Sequence, residues 1–222
     1  LTVSQTALGD PMPKDDFGTI FGVGAWVYAL AFLVNGPLTD RIGGKRAMLL
    51  GALGACLANL GMGLYLIYVL NLSNPASAPL TSAFSILYGI NMYFQSFGAV
   101  AIVKVNASWF HVRERGRFSG IFGIMISTGL FLAFDVNERI MLFAQSHGMP
   151  GVDATRWVFL SPAILLGAFF LLELVLLRDR PSEAGFQDFD TADASSGEDD
   201  TRPPIFHVLK KVLTNPIIIT IA

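Results

Sequence analysis

Asp40, Arg41, Lys45 and Arg46 place four charges within seven residues, with Gly36 and Pro37 before them and Gly43 and Gly44 among them. The chemistry open to this group is ion pairing. A carboxylate at position 40 accepts from the backbone amides of a helix N-terminus or pairs with a base, and either contact breaks and re-forms when helices rock. The other chemistry-bearing residues stand alone in apolar sequence. Lys104 is the only base in its apolar run, and a cation at mid-membrane costs about 3 kcal/mol or more, so it marks a solute or ion path unless it snorkels or is paired structurally. Asn91 and Gln95, four residues apart with Tyr88 beside them, either line a polar cavity or hydrogen-bond a neighbouring helix. Asp135, Glu138 and Arg139 read as an ion-pair cluster, with proton coupling by Asp135 as the alternative.

The elements that position these groups are membrane spans. Of 222 residues, 53% are hydrophobic and 14% charged, against about a quarter charged in soluble domains. From Ala47 through Val103 no Asp, Glu, Lys or Arg occurs. A helix crossing the hydrocarbon needs about 20 apolar residues, because every backbone amide must be paired within the segment. The runs 17–38, 47–70, 81–105, 118–136 and 157–177 meet that need, and NPIIITIA at 215–222 begins another. The fold class expected is an all-α membrane protein.

Within the chain, residues 1–16 form an external loop, 17–177 five transmembrane helices and 178–204 an acidic linker, with a surface helix and the start of a further span at 205–222. The linker, centred on DFDTADASSGEDD, cannot bury enough apolar surface to order itself. Gly36 and Pro37 are expected to end the first span, and Gly43 and Gly44 to let the chain reverse. Small residues at helical spacing, Gly18 with Gly22, Gly54 with Ala58, and Gly120 with Gly123 and Ser127, are candidate helix contacts.

Orientation follows from the cations. Eight (Arg41, Lys45, Arg46, Arg113, Arg115, Arg117, Arg178, Arg180) fall at one set of span ends and three (Lys14, Arg139, Arg156) at the other. The richer set is expected inside. The single Cys56 excludes a disulfide framework and reads as packing. His111, His147 and His207 have no partners at metal spacing. Neither a phosphate-cradling glycine loop nor a nucleophile elbow occurs, so no enzyme, metal or cofactor is expected. With a net charge of -2 and no broad basic face, a nucleic-acid partner is not expected either. The partners expected are membrane lipid and a small solute.

The pattern Gly36, Leu38, Asp40, Arg41, Gly43, Lys45, Arg46 resembles the loop between the second and third helices of the major facilitator superfamily. The resemblance implies that the spans are helices 2 to 6 and the start of helix 7, that an earlier helix precedes them, and that the chain carries most of one half of a twelve-helix bundle. It also implies alternating access around a central solute, with Asp40 and Arg41 stabilising one conformation. The stretches NASWFHVRERGRFSGIFG (106–123), RW (156–157) and LRDRPSEAGF (177–186) are similar to the organophosphate:phosphate antiporter family.

That second similarity implies a small polar, anionic solute, a coupling ion (a proton or phosphate), a bacterial-type inner membrane, and Lys104 at a position where these antiporters often carry a cation. The chain departs from the pattern where glycerol-3-phosphate members have a Lys and a His, which appear here as Phe32 and Ile126. A sensor that binds its ligand and signals to a partner kinase is the rival reading.

Overall fold

The computed structural model describes residues 14–74, 78–192, 210 and 214–215. Its helices are α1 (Lys14–Ile42), α2 (Gly44–Leu70), α3 (Leu80–Trp109), α4 (Arg115–Phe131), α5 (Asn137–Ser146), the single turn α6 (Gly151–Ala154) and α7 (Trp157–Leu176). A π-helical turn, Leu132–Val136, joins α4 to α5, so that Arg115–Ser146 is one continuous span of 32 residues. A 3-10 turn at Pro181–Ala184 follows α7, and no strand occurs among the described residues.

Among the described residues, five helices are long and apolar enough to cross a membrane. Their burial pattern is that of helices in lipid. Along α2 the inward stripe is Gly51, Gly54, Ala55, Ala58, Met62 and Gly63, while Leu50, Leu53, Leu57, Leu60 and Leu64 are exposed. In water that partition would be reversed. Where acyl chains are as apolar as leucine, small residues that let backbones approach are what hold helices together.

α3 stands between α1 and α2, and α2 turns its other side to α7. α1 and α2 are consecutive and antiparallel, yet they touch little beyond their junction. Ala47, Phe97 and Ala101 form a core at one end of the α2–α3 contact, packed by Leu38, Ile42 and Met48. Met62, Leu66 and Phe84 form another, reached by Ile20 of α1 and Phe159 of α7.

Several sequence expectations change. α1 does not stop at Gly36-Pro37 but continues to Ile42 with Pro37 inside it, and the only residue outside both helices is Gly43 at φ +91. Proline removes one donor, and hydrocarbon offers no other partner to the neighbouring backbone groups, so the helix persists through it. The expected loop 36–46 is therefore a one-residue joint. The fourth span likewise runs ten residues past 136, to Ser146. Of the glycine notches, Gly54 and Ala58 are buried in α2, whereas Gly18, Gly22, Gly120 and Gly123 have nothing within 4 Å of where a Cβ would stand. Residues 178–192, read as linker, have defined places against the bundle. The rest of that linker and most of 205–222 lie outside the described residues.

Candidate functional site

Three groups of polar residues are built by this arrangement. The first lies at the end of the bundle where α1 gives way to α2. Asp40, in the last turn of α1, reaches across to α3 and pairs with Lys104, Nζ to Oδ1 at 2.9 Å. Both side chains are about half exposed, at 47% for Lys104 and 64% for Asp40. A pair so open to solvent contributes on the order of 0–1 kcal/mol, so it is easily exchanged. Arg46 is exposed, and Lys45 donates from Nζ to the Leu174 carbonyl at the end of α7, 3.1 Å away.

The same end is bound by the segment that follows α7. Asp179 Oδ1 accepts the backbone N–H of Lys45 at 2.6 Å. Trp109 Nε1 donates to the Arg178 carbonyl (3.1 Å), and Val112 N–H to that of Thr191 (3.0 Å). Arg178 caps α7 by donating to the carbonyls of Val175 and Leu177, Pro181 opens the 3-10 turn, and Gly185 closes it at φ +85. The Trp-Phe and Arg-x-x-Pro-x-x-x-Gly stretches, separate in sequence, are thus joined through Trp109 and Arg178. Sequence spacing gave no signal of that contact.

The second group is at mid-length in α3. Asn91 is 1% exposed and donates to the Ala55 carbonyl of α2 at 3.2 Å. The same carbonyl accepts from Asn59 Nδ2 at 2.9 Å. Gln95 is exposed and donates through Nε2 to Asn91 Oδ1. Tyr88 turns the other way, toward α1, where its ring fills the space beside Gly24 and stacks near Phe21. Asn59 was not singled out from the sequence, although its amide lies within an uncharged apolar run.

The candidates on α3 do not form one site. Nine residues separate Gln95 from Lys104, two and a half turns, so their side chains leave the helix on opposite sides. A small solute touching Gln95 on this face is not touched by Lys104, whose partner here is Asp40.

The third group is internal to the α1–α3 contact. Asn35, fully buried, donates to the Tyr93 carbonyl (3.2 Å) and to Ser96 Oγ (2.7 Å). Its Oδ1 and the buried Thr39 hydroxyl have no hydrogen-bond partner among the described residues, and they flank Pro37. Buried amides lacking one partner cost free energy, so this stretch of α1 is held with polar groups imperfectly paired.

Asp135 is exposed on the π-helical turn, and among the described residues no ion pair joins it or Glu138 to Arg139. Asn137, just past the turn, is instead the polar anchor there: it donates to the Val158 carbonyl at 3.1 Å and accepts from Ser161 Oγ at 2.6 Å. Cys56 donates to the Ala163 carbonyl of α7 at 3.2 Å, a packing role. Glu173 is half-buried on α7, with one carboxylate oxygen enclosed and without a hydrogen-bond partner among the described residues. Trp26 is 72% exposed on the outer face of α1, and Tyr28 packs edge-on to Phe32. Ile126 is exposed. Among the described residues no group of His, Cys, Asp and Glu could hold a metal.

Long apolar helices with their small residues facing inward, a charge-bearing joint at one end and buried amides at mid-depth define a multi-pass membrane protein of the transporter class. The family model of the Major Facilitator Superfamily matches residues 3–222, and the chain belongs to that superfamily. It is a membrane transporter. No curated protein and no solved structure matches the chain.

Proposed function

We propose that the chain carries a small polar, anionic solute, of the organophosphate class, by alternating access in a bacterial-type inner membrane, with the end bearing Asp40 and Lys104 facing the cytoplasm. The observation that carries the reading is the Asp40–Lys104 pair. It links the motif-bearing end of α1 to α3 through a solvent-screened contact, which a rocking bundle breaks and remakes at little cost. Lys104, with Gly36, Asp40, Arg41, Gly43, Lys45 and Arg46, then acts as a latch.

Solute contact falls to the opposite seam of α3. Gln95 presents its side chain there and Asn91 orients it, while Tyr88, turned toward α1, is left for a solute reaching the α1–α3 side. Amide N–H and phenol O–H groups donate to hydroxyl and phosphate oxygens alike. The anionic class rests on the similarity of 106–123 and 177–186 to the antiporter family, and Asp135 remains a proton-coupling candidate. The sensor reading has no specific contact in its favour.

The test is exchange in proteoliposomes loaded with inorganic phosphate. Labelled phosphate is expected to enter, and phosphate monoesters to compete while neutral sugars do not. Exchange blocked only by neutral sugars would overturn the anionic class. A tag beside Lys45 reached from outside intact cells would overturn the orientation.

A further inference from the structure

We infer that Asp179 is the N-cap of α2, supplied from 134 residues away, and that with Lys45 it forms a two-way clasp fixing the Gly43 joint. The residue in the local cap position, Gly43, has no side chain to offer and sits at φ +91. The first amides of any helix lack intrahelical acceptors, and in a membrane protein a partner must come from elsewhere in the fold. Asp179 meets that need with Oδ1 on the Lys45 N–H at 2.6 Å. A carboxylate there also complements the positive end of the helix.

The joint is shaped to receive it. A Cβ on Gly44 would stand 3.1 Å from Asp179 Oδ1 and 2.6 Å from Val105 Cγ2, and one on Gly43 would stand 3.0 Å from Asp179 Oδ2. The two glycines therefore do more than reverse the chain, since they admit the carboxylate. Asp179 is itself held, its N–H donating to Glu183 Oε2 at 3.0 Å. The clasp closes in the other direction when Lys45 Nζ donates to the Leu174 carbonyl, so one residue of α2 gives both its amide and its ammonium to the end of α7.

The consequence is mechanical. The start of α2 and the exit of α7 form one unit, and the joint that aims Asp40 toward Lys104 is anchored to it. Asp179 is a positioning residue; it acts on the latch through Gly43 and not by touching it.

The test is amide hydrogen exchange on the purified full chain in detergent, comparing wild type with Asp179→Ala and Asp179→Asn. Asparagine keeps an oxygen acceptor and caps about as well as aspartate. The Ala variant is expected to exchange about tenfold faster over 43–47, the loss of one cap, while α3 and the far end of α2 are unchanged. The Asn variant is expected to stay close to wild type. Unchanged exchange over 43–47 in the Ala variant would overturn the clasp. So would equal acceleration across the whole bundle in both variants, which would make Asp179 a general stability residue.

Discussion

The ring of Phe94 occupies the space above Gly54: a Cβ built on that glycine would lie 2.1 Å from Phe94 Cγ. α2 and α3 approach here as closely as their backbones allow, and no side chain larger than hydrogen fits without moving the ring. Gly54→Ala is expected to lower stability by about 1–3 kcal/mol, the usual cost of overpacking. Gly120→Ala, with nothing within 4 Å of the new methyl, should keep or raise it, by up to about 1 kcal/mol, since alanine favours the helix. Thermal melting of the two variants in the same detergent separates them; equal melting would mean that α2 and α3 do not meet at this notch.

Breaking the Asp40–Lys104 pair should affect transport far more than stability. Both groups are half exposed, so Lys104→Met is expected to change the unfolding free energy by less than about 1 kcal/mol. The uptake rate is expected to fall several-fold, and the swapped pair Asp40→Lys with Lys104→Asp to recover part of it. A swap no better than the single variant would argue against a latch made by these two charges.

On α3 the two neighbouring amides should behave differently. Asn91→Ala removes a buried donor to the Ala55 carbonyl and leaves Gln95 without its acceptor, at a cost of about 1–2 kcal/mol. Gln95→Ala changes an exposed side chain but takes the donor from Asn91 Oδ1, and is expected to lower stability by up to about 1 kcal/mol, less than the Asn91 variant. If Gln95 meets the solute, its loss raises KM for the transported compound, whereas Asn91→Ala, the more destabilised variant, leaves KM less affected. A lowered melting temperature with unaltered KM would assign Gln95 to packing.

Pro37 interrupts the hydrogen bonding of α1 between two buried polar groups, Asn35 Oδ1 and the Thr39 hydroxyl, that lack hydrogen-bond partners among the described residues. Pro37→Ala restores one donor inside the helix. It is expected to raise stability by about 1 kcal/mol and to slow turnover, because this point of α1 gains a backbone hydrogen bond and stiffens. The check is melting temperature against initial uptake rate; a rise in both would place the hinge elsewhere.

What was legible in the sequence follows from what hydrocarbon demands. Length and the absence of charge locate spans such as α2 and α7 to within a few residues, since backbone pairing in lipid leaves one solution. The helix end at Pro37 was misread because the aqueous rule for proline assumes that water will take the freed groups. The motif residues could be named as an ion-pairing group from their types, but that Asp40 chooses Lys104 depends on how α3 lies between α1 and α2. Lys104 and Gln95 look like one site along the sequence, and helical geometry then sends them apart. Asp179 was invisible as a cap because it is 134 residues from the amide that it accepts.

The π-helical turn at Leu132–Val136 carries one residue more than the α-helical path would need. Everything beyond it is therefore turned about 100° from the direction that α4 would have given it. That rotation is what presents Asn137 to Val158 and Ser161. Closing this turn into regular α-helix without removing a residue would point the asparagine away from α7 and uncouple the two spans, whereas deleting one residue along with the bulge would keep it in place.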